Sequence, residues 1–429
     1  NLSARSALPN LFGSAPGAHE LLMDLHILRE QLAEFSPSDW PGMDNALAVT
    51  PASAEECAGV MKIAGEANAA VVPFGGGTKQ AHGNPIRTAG RPLMALRTTR
   101  MNRVVEYEPD DLTITVEAGM TIADLNAIAR PNNQMLPFDV ALPGRSTVGG
   151  IIATNADGPR RLGYGTVKDL LIGAKVVEAS GAISKAGGRT VKNVSGYNMM
   201  RLWTGSYGTL AVIVAATFKL IPIPRETRTL VCPFADLPGA FAFLDKLHET
   251  FLNPSAAELV MDDAGVRAFI RAEGTPEQVE RHVREVSEIA KALASNPARW
   301  EGDWQAINDM PQTAEVAEDE VALKLAMLPS HLRDALAWAQ TLANQNAIHL
   351  SGSARALSGV AYLRARGGGA VHFVDGLRES ANVIALACGA QAHIQNRWGR
   401  EPEGIEVMRR IKREFDPQDR LNPGRFIVS

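Results

Sequence analysis

The sequence predicts an α+β protein of two or three domains, and three observations carry that expectation. Its 429 residues exceed what one ordinary core accommodates, since domains typically run to roughly 100–200 residues. From residue 46 onward, short β-branched runs alternate with segments of helical period. Two glycine clusters, at 75–77 and across 144–165, sit between those elements, although glycine in a regular element costs roughly 0.5–1 kcal/mol against alanine. Backbone there is being brought close to something.

Composition narrows the function classes. With 45% hydrophobic and 21% charged residues and a net charge of −4, the chain reads as a soluble globular protein without the basic footprint of a nucleic-acid binder. No apolar run reaches eighteen residues and no basic-then-apolar leader opens the chain, so a cytoplasmic protein is expected; the first residue, Asn1, leaves room for a leader already removed. Cys57, Cys232 and Cys388 are odd in number and widely spaced, with no C-x-x-C. Their spacing encodes no disulfide framework, iron–sulfur centre or zinc site, and no metal is expected. Any redox chemistry must pass its electrons to oxygen, a diffusible acceptor or another subunit.

Residues 1–45 read as an extension. Pro9, Gly13, Pro16 and Gly17 punctuate a loose start, and Leu21, Leu22, Leu25, Leu28 and Leu32 then recur at helical spacing. This amphipathic helix packs on its own chain or docks a partner. A strand at 48–49 precedes a helix opened by Pro51 and Ser53, with Glu55 and Glu56 in its first turn. The buried strand 69–74 runs into Gly75-Gly76-Gly77-Thr78, yet neither G-x-G-x-x-G nor G-x-x-x-x-G-K-[ST] occurs anywhere. Strands at 93–96, 104–107 and 112–117 and a helix at 122–129 lead to Pro143-Gly144 and the glycine-rich stretch 147–168. There Arg160 and Arg161 stand beside a run of peptide N–H groups, an arrangement suited to a pyrophosphate or, equally, a tight structural loop. Beyond it come a strand at 170–178, a helix at 197–203 and a strand at 211–221 stopped by Pro222 and Pro224.

Residues 226–395 give an α+β outline: strands at 229–232, 258–261, 267–272, 321–327 and 347–351, with helices at 237–250, 276–294 and 332–342. The acidic group Glu315, Glu318, Asp319 and Glu320 reads as a solvated face. A final helix at 403–415 carries Arg409, Arg410, Lys412 and Arg413, read as solvating the helix and complementing its dipole. The turn Asn422-Pro423-Gly424-Arg425 follows.

Seven motifs stand in order: FGGGT (74–78), DLTITVEAG (111–119), TVGG (147–150), DGPRRLGYGTVKD (157–169), VKNVSGY (191–197), GSYGTL (205–210) and FDPQDRLNPGRF (415–426). Together they resemble the FAD-linked oxidases of the vanillyl-alcohol oxidase superfamily, most like the FAD-binding subunits of bacterial glycolate oxidases. The resemblance implies a two-part PCMH-type FAD-binding domain (46–225), an α+β cap (226–395) and a C-terminal segment (396–429) that returns to the FAD domain. It implies that Phe74, Gly75, Gly76, Gly77 and Thr78 form the pyrophosphate loop, with Lys79 as a possible added cation. Pro143, Gly144, Thr147, Gly149 and Gly150 would flank flavin and ribityl, and Asn155, Gly158, Arg160, Arg161 and Tyr164 would follow the cofactor. Gly208 and Ile213 would meet the adenine side, and Asn422 would reach the cofactor from the closing turn. Thr78 stands where some relatives carry a flavin-linking histidine, and His82 comes four residues later, so FAD is expected to be non-covalent. Ala211 in place of a usual glycine and Asn198 in place of a common aspartate are departures.

Oxidising a hydroxy acid takes a base for the hydroxyl proton and a cation for the carboxylate. His393 and Arg397 are the first candidates; His349, Arg355, Tyr362 and Arg364 are second choices. The resemblance implies hydride transfer from the hydroxy acid to flavin N5. It also implies onward transfer to a second flavoprotein subunit and an iron–sulfur subunit, with membrane contact only through those partners. A self-sufficient FAD oxidase of another alcohol or sugar acid, and a non-catalytic FAD-binding subunit, stand as alternatives.

Overall fold

The computed structural model describes residues 18–35, 38–40, 43–188, 197–309, 316–389, 391 and 394–428. Three larger sheets organise them, beside a two-stranded pair of Gln134–Met135 with Ile221–Pro222. The first has four strands in the order Ser38–Trp40, Met43–Val49, Leu93–Arg97 and Ala70–Phe74, parallel apart from its first pair. The second is antiparallel, in the order Val104–Glu108, Thr113–Glu117, Ala211–Lys219, Leu171–Glu178 and Ile183–Gly187. The third has eight antiparallel strands, from Ala298–Arg299 through Glu226–Phe234, Gly265–Gly274, Ala256–Asp262, His349–Arg355, Val360–Arg366 and Glu320–Ala326 to Val383–Cys388.

Local chemistry explains most boundaries. Ser53 caps the helix Ala54–Glu66 by accepting from the Glu56 N–H at 3.0 Å. Thr275 and Gln278 form a capping box at the start of Pro276–Ala292. Within the glycine-rich stretch, residues 148–154 form a helix, Val148–Thr154, capped by Thr147 and ended by Asn155 in the left-handed region at φ +47°. The N-terminal helix Ala18–Gln31 packs on its own chain: Leu25, Leu28 and Leu32 are buried against Val49, Met61 and Val214. The strand Met43–Val49 crosses position 46, so the extension and the first sheet are continuous.

The C-terminal segment threads back to the first sheet, with Val71 N–H donating to Arg420 O and Asn422 N–H to Val71 O, both at 2.8 Å. In the helix Ile405–Phe415, Lys412 departs from the solvated role expected of the basic run. It is buried, and its ammonium reaches Asp416 at 2.6 Å, Thr209 O at 3.0 Å and Leu421 O at 3.1 Å. The helix thereby locks the closing turn instead of displaying its charge.

In the eight-stranded sheet, alternation separates two chemistries. Odd positions such as Leu259, Val321, Leu323 and Leu363, joined by Ile270 and Ala354, form an apolar core with helices Leu237–His248, Pro329–Gln345 and Ala370–Ser380. The intervening residues Glu258, Arg271, Glu273, Lys324, Ser353, Arg355 and Tyr362 occupy the opposite face, towards residues 139–164 of the other half.

Candidate active site

A cleft runs between the first two sheets. Its walls bring together Gly75, Gly76, Gly77, Thr78 and Lys79 from one loop and Thr147, Gly149 and Gly150 from the capped helix. Gly208, Ile213 and Asn422 complete the expected residues found there. Several of these glycines are obligatory. A Cβ on Gly76 would lie 1.7 Å from Arg145 O, and one on Gly75 2.2 Å from Thr147 Oγ1. Gly77 needs φ +74°.

The structure also lines the cleft with residues that sequence reasoning missed: Gln80, Thr98, Ser146, Tyr207 and Arg425. Arg425 stands inside the last quoted motif, where its arginine was the available signal. It is 4% exposed; Nη1 donates to Gln80 O at 2.7 Å and His82 O at 2.8 Å, while Nε and Nη2 are buried without a partner. Burial, with Arg397 nearby, pushes its pKa down to about 10, so it is a cation at neutral pH. Asn422 turns its Nδ2 to Tyr207 O at 2.7 Å and leaves Oδ1 unpaired.

Other expected residues lie outside that lining. Phe74 packs beneath the Arg97 guanidinium at 5.6 Å, Pro143 and Gly144 follow the left-handed Leu142, and Asn155 ends its helix with Oδ1 buried and unpaired. Arg160 is committed elsewhere, to Glu273 at 2.6 Å and Asp139 at 3.2 Å, and Tyr164 OH donates to Glu273 at 3.0 Å. Arg161 pairs with Asp157. The physical reason is the cap strand Gly265–Gly274, whose buried Glu273 and Arg271 need partners; Arg271 finds Asp139 at 2.8 Å and stacks 4.0 Å over Trp304. Gly158, packed where a Cβ would meet Asp139 O at 1.7 Å, holds this turn against the backbone of Asp139.

At the cap end of the cleft the sheet's polar face supplies a charged cluster. Arg355, 2% exposed, pairs with Asp157 and lies 3.4 Å from the Tyr362 hydroxyl, so two of the second-choice residues meet here. Lys324 sits directly across from Tyr362 in the sheet register, its ammonium 5.6 Å from that ring. Neighbouring Tyr362 oxygen favours the charged form of Lys324 and offsets its burial. Asp157 would be raised by burial, but Arg355, Lys324 and Arg161 outweigh that and hold it below the usual carboxylate range. Glu258, 1% exposed and 3.7 Å from Arg355 Nε, is pushed up to about 7 by burial that Arg355 only partly offsets. The signal for Lys324 and Glu258 was a lone charge inside an apolar strand, in EVALKLA and AAELVMD.

His393 lies outside the described residues, as do residues 191–196 of the VKNVSGY motif and Glu315 of the acidic group. Arg397 is 4% exposed and spends Nη1 on Ala81 O at 2.7 Å and Gly83 O at 3.3 Å. Those carbonyls take Nη1, while Nε is buried without a partner among the described residues. Among the other second choices, Arg364 pairs with Glu320 at 2.9 Å and His349 with Asp263 at 2.8 Å, away from Asp157.

Residues 46–187 match the FAD binding domain family, and residues 390–426 match the C-terminal domain of FAD linked oxidases. A D-lactate dehydrogenase of Archaeoglobus fulgidus is 30% identical over 426 residues, covering 90% of this chain and 92% of the relative. This chain belongs to the FAD-linked oxidases. The glycolate oxidase subunit GlcD of Bacillus subtilis is 26% identical over 431 residues, with 89% and 88% covered. A crystal structure of p-cresol methylhydroxylase with substrate bound shares the fold at a TM-score of 0.70 and 16% identity, over 97% of this chain and 98% of that one. The fold class expected from sequence is thus the observed one, and this FAD-linked oxidase is an FAD-dependent oxidoreductase acting on CH–OH donors. The cleft fits FAD. Glycines that cannot carry a Cβ line it, and the unused donors of Arg425 and the unused Asn422 Oδ1 at its wall need a polar ligand.

Proposed function

We propose that this FAD-linked oxidase dehydrogenates a 2-hydroxy acid, with FAD held non-covalently in the cleft by Gly75–Thr78, Thr147, Gly149, Gly150, Asn422 and Arg425. The observation that carries the reading is the charge balance at the cap end. Lys79, Lys324, Arg355 and Arg161 gather around the ionised carboxylate of Asp157, which Arg161 and Arg355 already occupy, with Asp309 as the second carboxylate near Lys79. That surplus suits a substrate carboxylate. The A. fulgidus relative is a D-lactate dehydrogenase, and the B. subtilis relative a glycolate oxidase subunit, which supports the same substrate class. Bound FAD supplies the two-electron acceptor for the hydride lost from the substrate carbon. The chain's own residues do the rest. Lys324 and Arg355 orient the carboxylate, Asp157 fixes the Arg355 guanidinium, and the packed rings of half-buried Tyr207 and Phe426 with buried Trp398 keep water from the cleft end.

In this reading electrons pass to partner subunits, one flavin-bearing and one carrying iron–sulfur centres, and the protein is cytoplasmic with membrane contact only through them. The naming of the B. subtilis relative as a subunit supports this. Among the described residues no helix is long and apolar enough to cross a membrane. The test is a visible spectrum of the purified protein followed by anaerobic addition of glycolate and D-lactate. Bleaching of flavin absorbance supports the reading; flavin that stays oxidised with a series of 2-hydroxy acids overturns it. Flavin that remains with acid-precipitated polypeptide overturns the non-covalent assignment.

A further inference from the structure

The charged face of the cap sheet carries one ion pair whose bonds stay incomplete. On adjacent strands Leu259 pairs with Ala354 and Val260 with Ser353, so the next residues along, Glu258 and Arg355, stand directly opposite each other. Both are buried, and Glu258 Oε2 lies 3.7 Å from Arg355 Nε. That separation is within ion-pair range and too long for a hydrogen bond. Among the described residues neither Glu258 oxygen nor Arg355 Nε has a hydrogen-bond partner, and the buried Ser353 hydroxyl beside the carboxyl lacks one too. The other carboxylate on Arg355 is built differently: Asp157 accepts from Nη1 and is bonded by Arg161 as well. One guanidinium is thus held by a firm carboxylate and a loose one.

A buried carboxylate without hydrogen bonds is costly to ionise, so its charge depends on how much of Arg355 it has to itself. The groups around Glu258 come from each neighbouring element. One adjacent strand supplies Arg355 and Ser353, the other supplies Phe269 opposite and Arg271 two residues on, and the FAD domain supplies Asp157 and Asp139. Arg271 is already paired with Asp139, and Arg161 with Asp157. Arg355 is therefore the cation left to Glu258, and it is also one that the substrate carboxylate would use.

We propose that Glu258 is a positioning residue for substrate binding: protonated, it leaves Arg355 to the substrate carboxylate, and ionised, it competes with that carboxylate for the guanidinium. The assignment rests on the 2-hydroxy-acid reading above. The linkage is reciprocal. An arriving carboxylate takes the Arg355 charge that stabilised ionised Glu258, so Glu258 takes up a proton from the solvent as the acid binds. Burial pushes its pKa up to about 7, against the pull of Arg355, which puts this exchange near neutral pH.

Calorimetric binding of oxamate, a monocarboxylate with no C–H bond to oxidise, reads that proton when the FAD-loaded full chain is titrated in buffers of different ionisation enthalpy. Wild type is expected to take up a fraction of a proton at about pH 7, and its oxamate affinity to fall roughly three- to tenfold between pH 6 and pH 8. Glu258→Gln, which copies the neutral carboxyl, should take up none at that pH and keep the low-pH affinity throughout. Uptake that survives in Glu258→Gln belongs to another group, such as Lys79, which burial brings down to about 8, and overturns the proposal. Wild type that binds oxamate without taking up a proton overturns it too, a result that needs no variant to fold. Anaerobic flavin reduction by glycolate and D-lactate tests the functional reading separately. Glu258-dependent uptake beside a flavin that no 2-hydroxy acid reduces sinks the substrate assignment and keeps the Arg355 site. Absence of oxamate binding overturns the proposal, and if no 2-hydroxy acid reduces the flavin either, the functional reading falls with it.

Discussion

Leu323 and Lys324 are neighbours on one strand and belong to different parts of the molecule's work. Leu323 joins the apolar face that packs under the cap helices; Lys324 joins the face where Asp157, Arg355 and Tyr362 meet. The eight-stranded sheet repeats this division: one face is the apolar core under the helices, and the other carries the buried charges between smaller apolar groups such as Val260 with Phe269 and Val360 with Leu386. The ions buried there need partners, an arrangement that costs stability and is retained where chemistry needs it.

Substitutions at adjacent positions sharpen that contrast. Leu323→Ala removes buried methyl groups from a fully buried site and is expected to cost about 2–5 kcal/mol, read as a drop in unfolding free energy, with flavin content unchanged in the folded fraction. Lys324→Met next door should do the reverse. The acid concentration that half-reduces the flavin rises about 10- to 100-fold, the loss of a charge-assisted contact worth roughly 1.5–3 kcal/mol, while the melting temperature stays level or rises. Equal losses of stability in both variants would erase the distinction between the faces.

Arg425→Met tests the cleft side of the same boundary. Its free Nε and Nη2 and its hold on Gln80 and His82 carbonyls are both lost, so FAD affinity should fall about tenfold or more by fluorescence titration. Unchanged affinity would place those donors away from the cofactor.

Glu258→Gln has the most conditional effect, absent in acid and present only at higher pH. Because the carboxyl pKa is raised to about 7 in the folded chain from 4.5, the native state binds the extra proton. Stability from that proton is full below about pH 4.5 and is lost as pH rises through 7. The glutamine variant should therefore match wild type in acid and exceed it above pH 7, by at most about 3 kcal/mol. Parallel melting curves across that window would show that Glu258 stays ionised beside Arg355.

The sequence by itself determined the elements, the order of the motifs and the glycine loops of the cleft. These are local matters: strand and helix periods, caps such as Ser53, and glycines at positions where Cβ has no room. It also offered Arg355 and Tyr362, though only behind His393 and Arg397. Tertiary structure decided which charges meet. Arg160 and Arg161, open in sequence to a pyrophosphate or a tight structural loop, pair with Glu273 and Asp157, and Arg397, a candidate carboxylate cation, gives its Nη1 to the carbonyls of Ala81 and Gly83. Lys412 read as solvated until Asp416 and two carbonyls enclosed it. The reason is common to all of them: an arginine or lysine has several donors and a long reach, so its partner is set by which carboxylate or carbonyl folding brings near, and contacts such as Arg355 with Asp157 span 198 residues of chain.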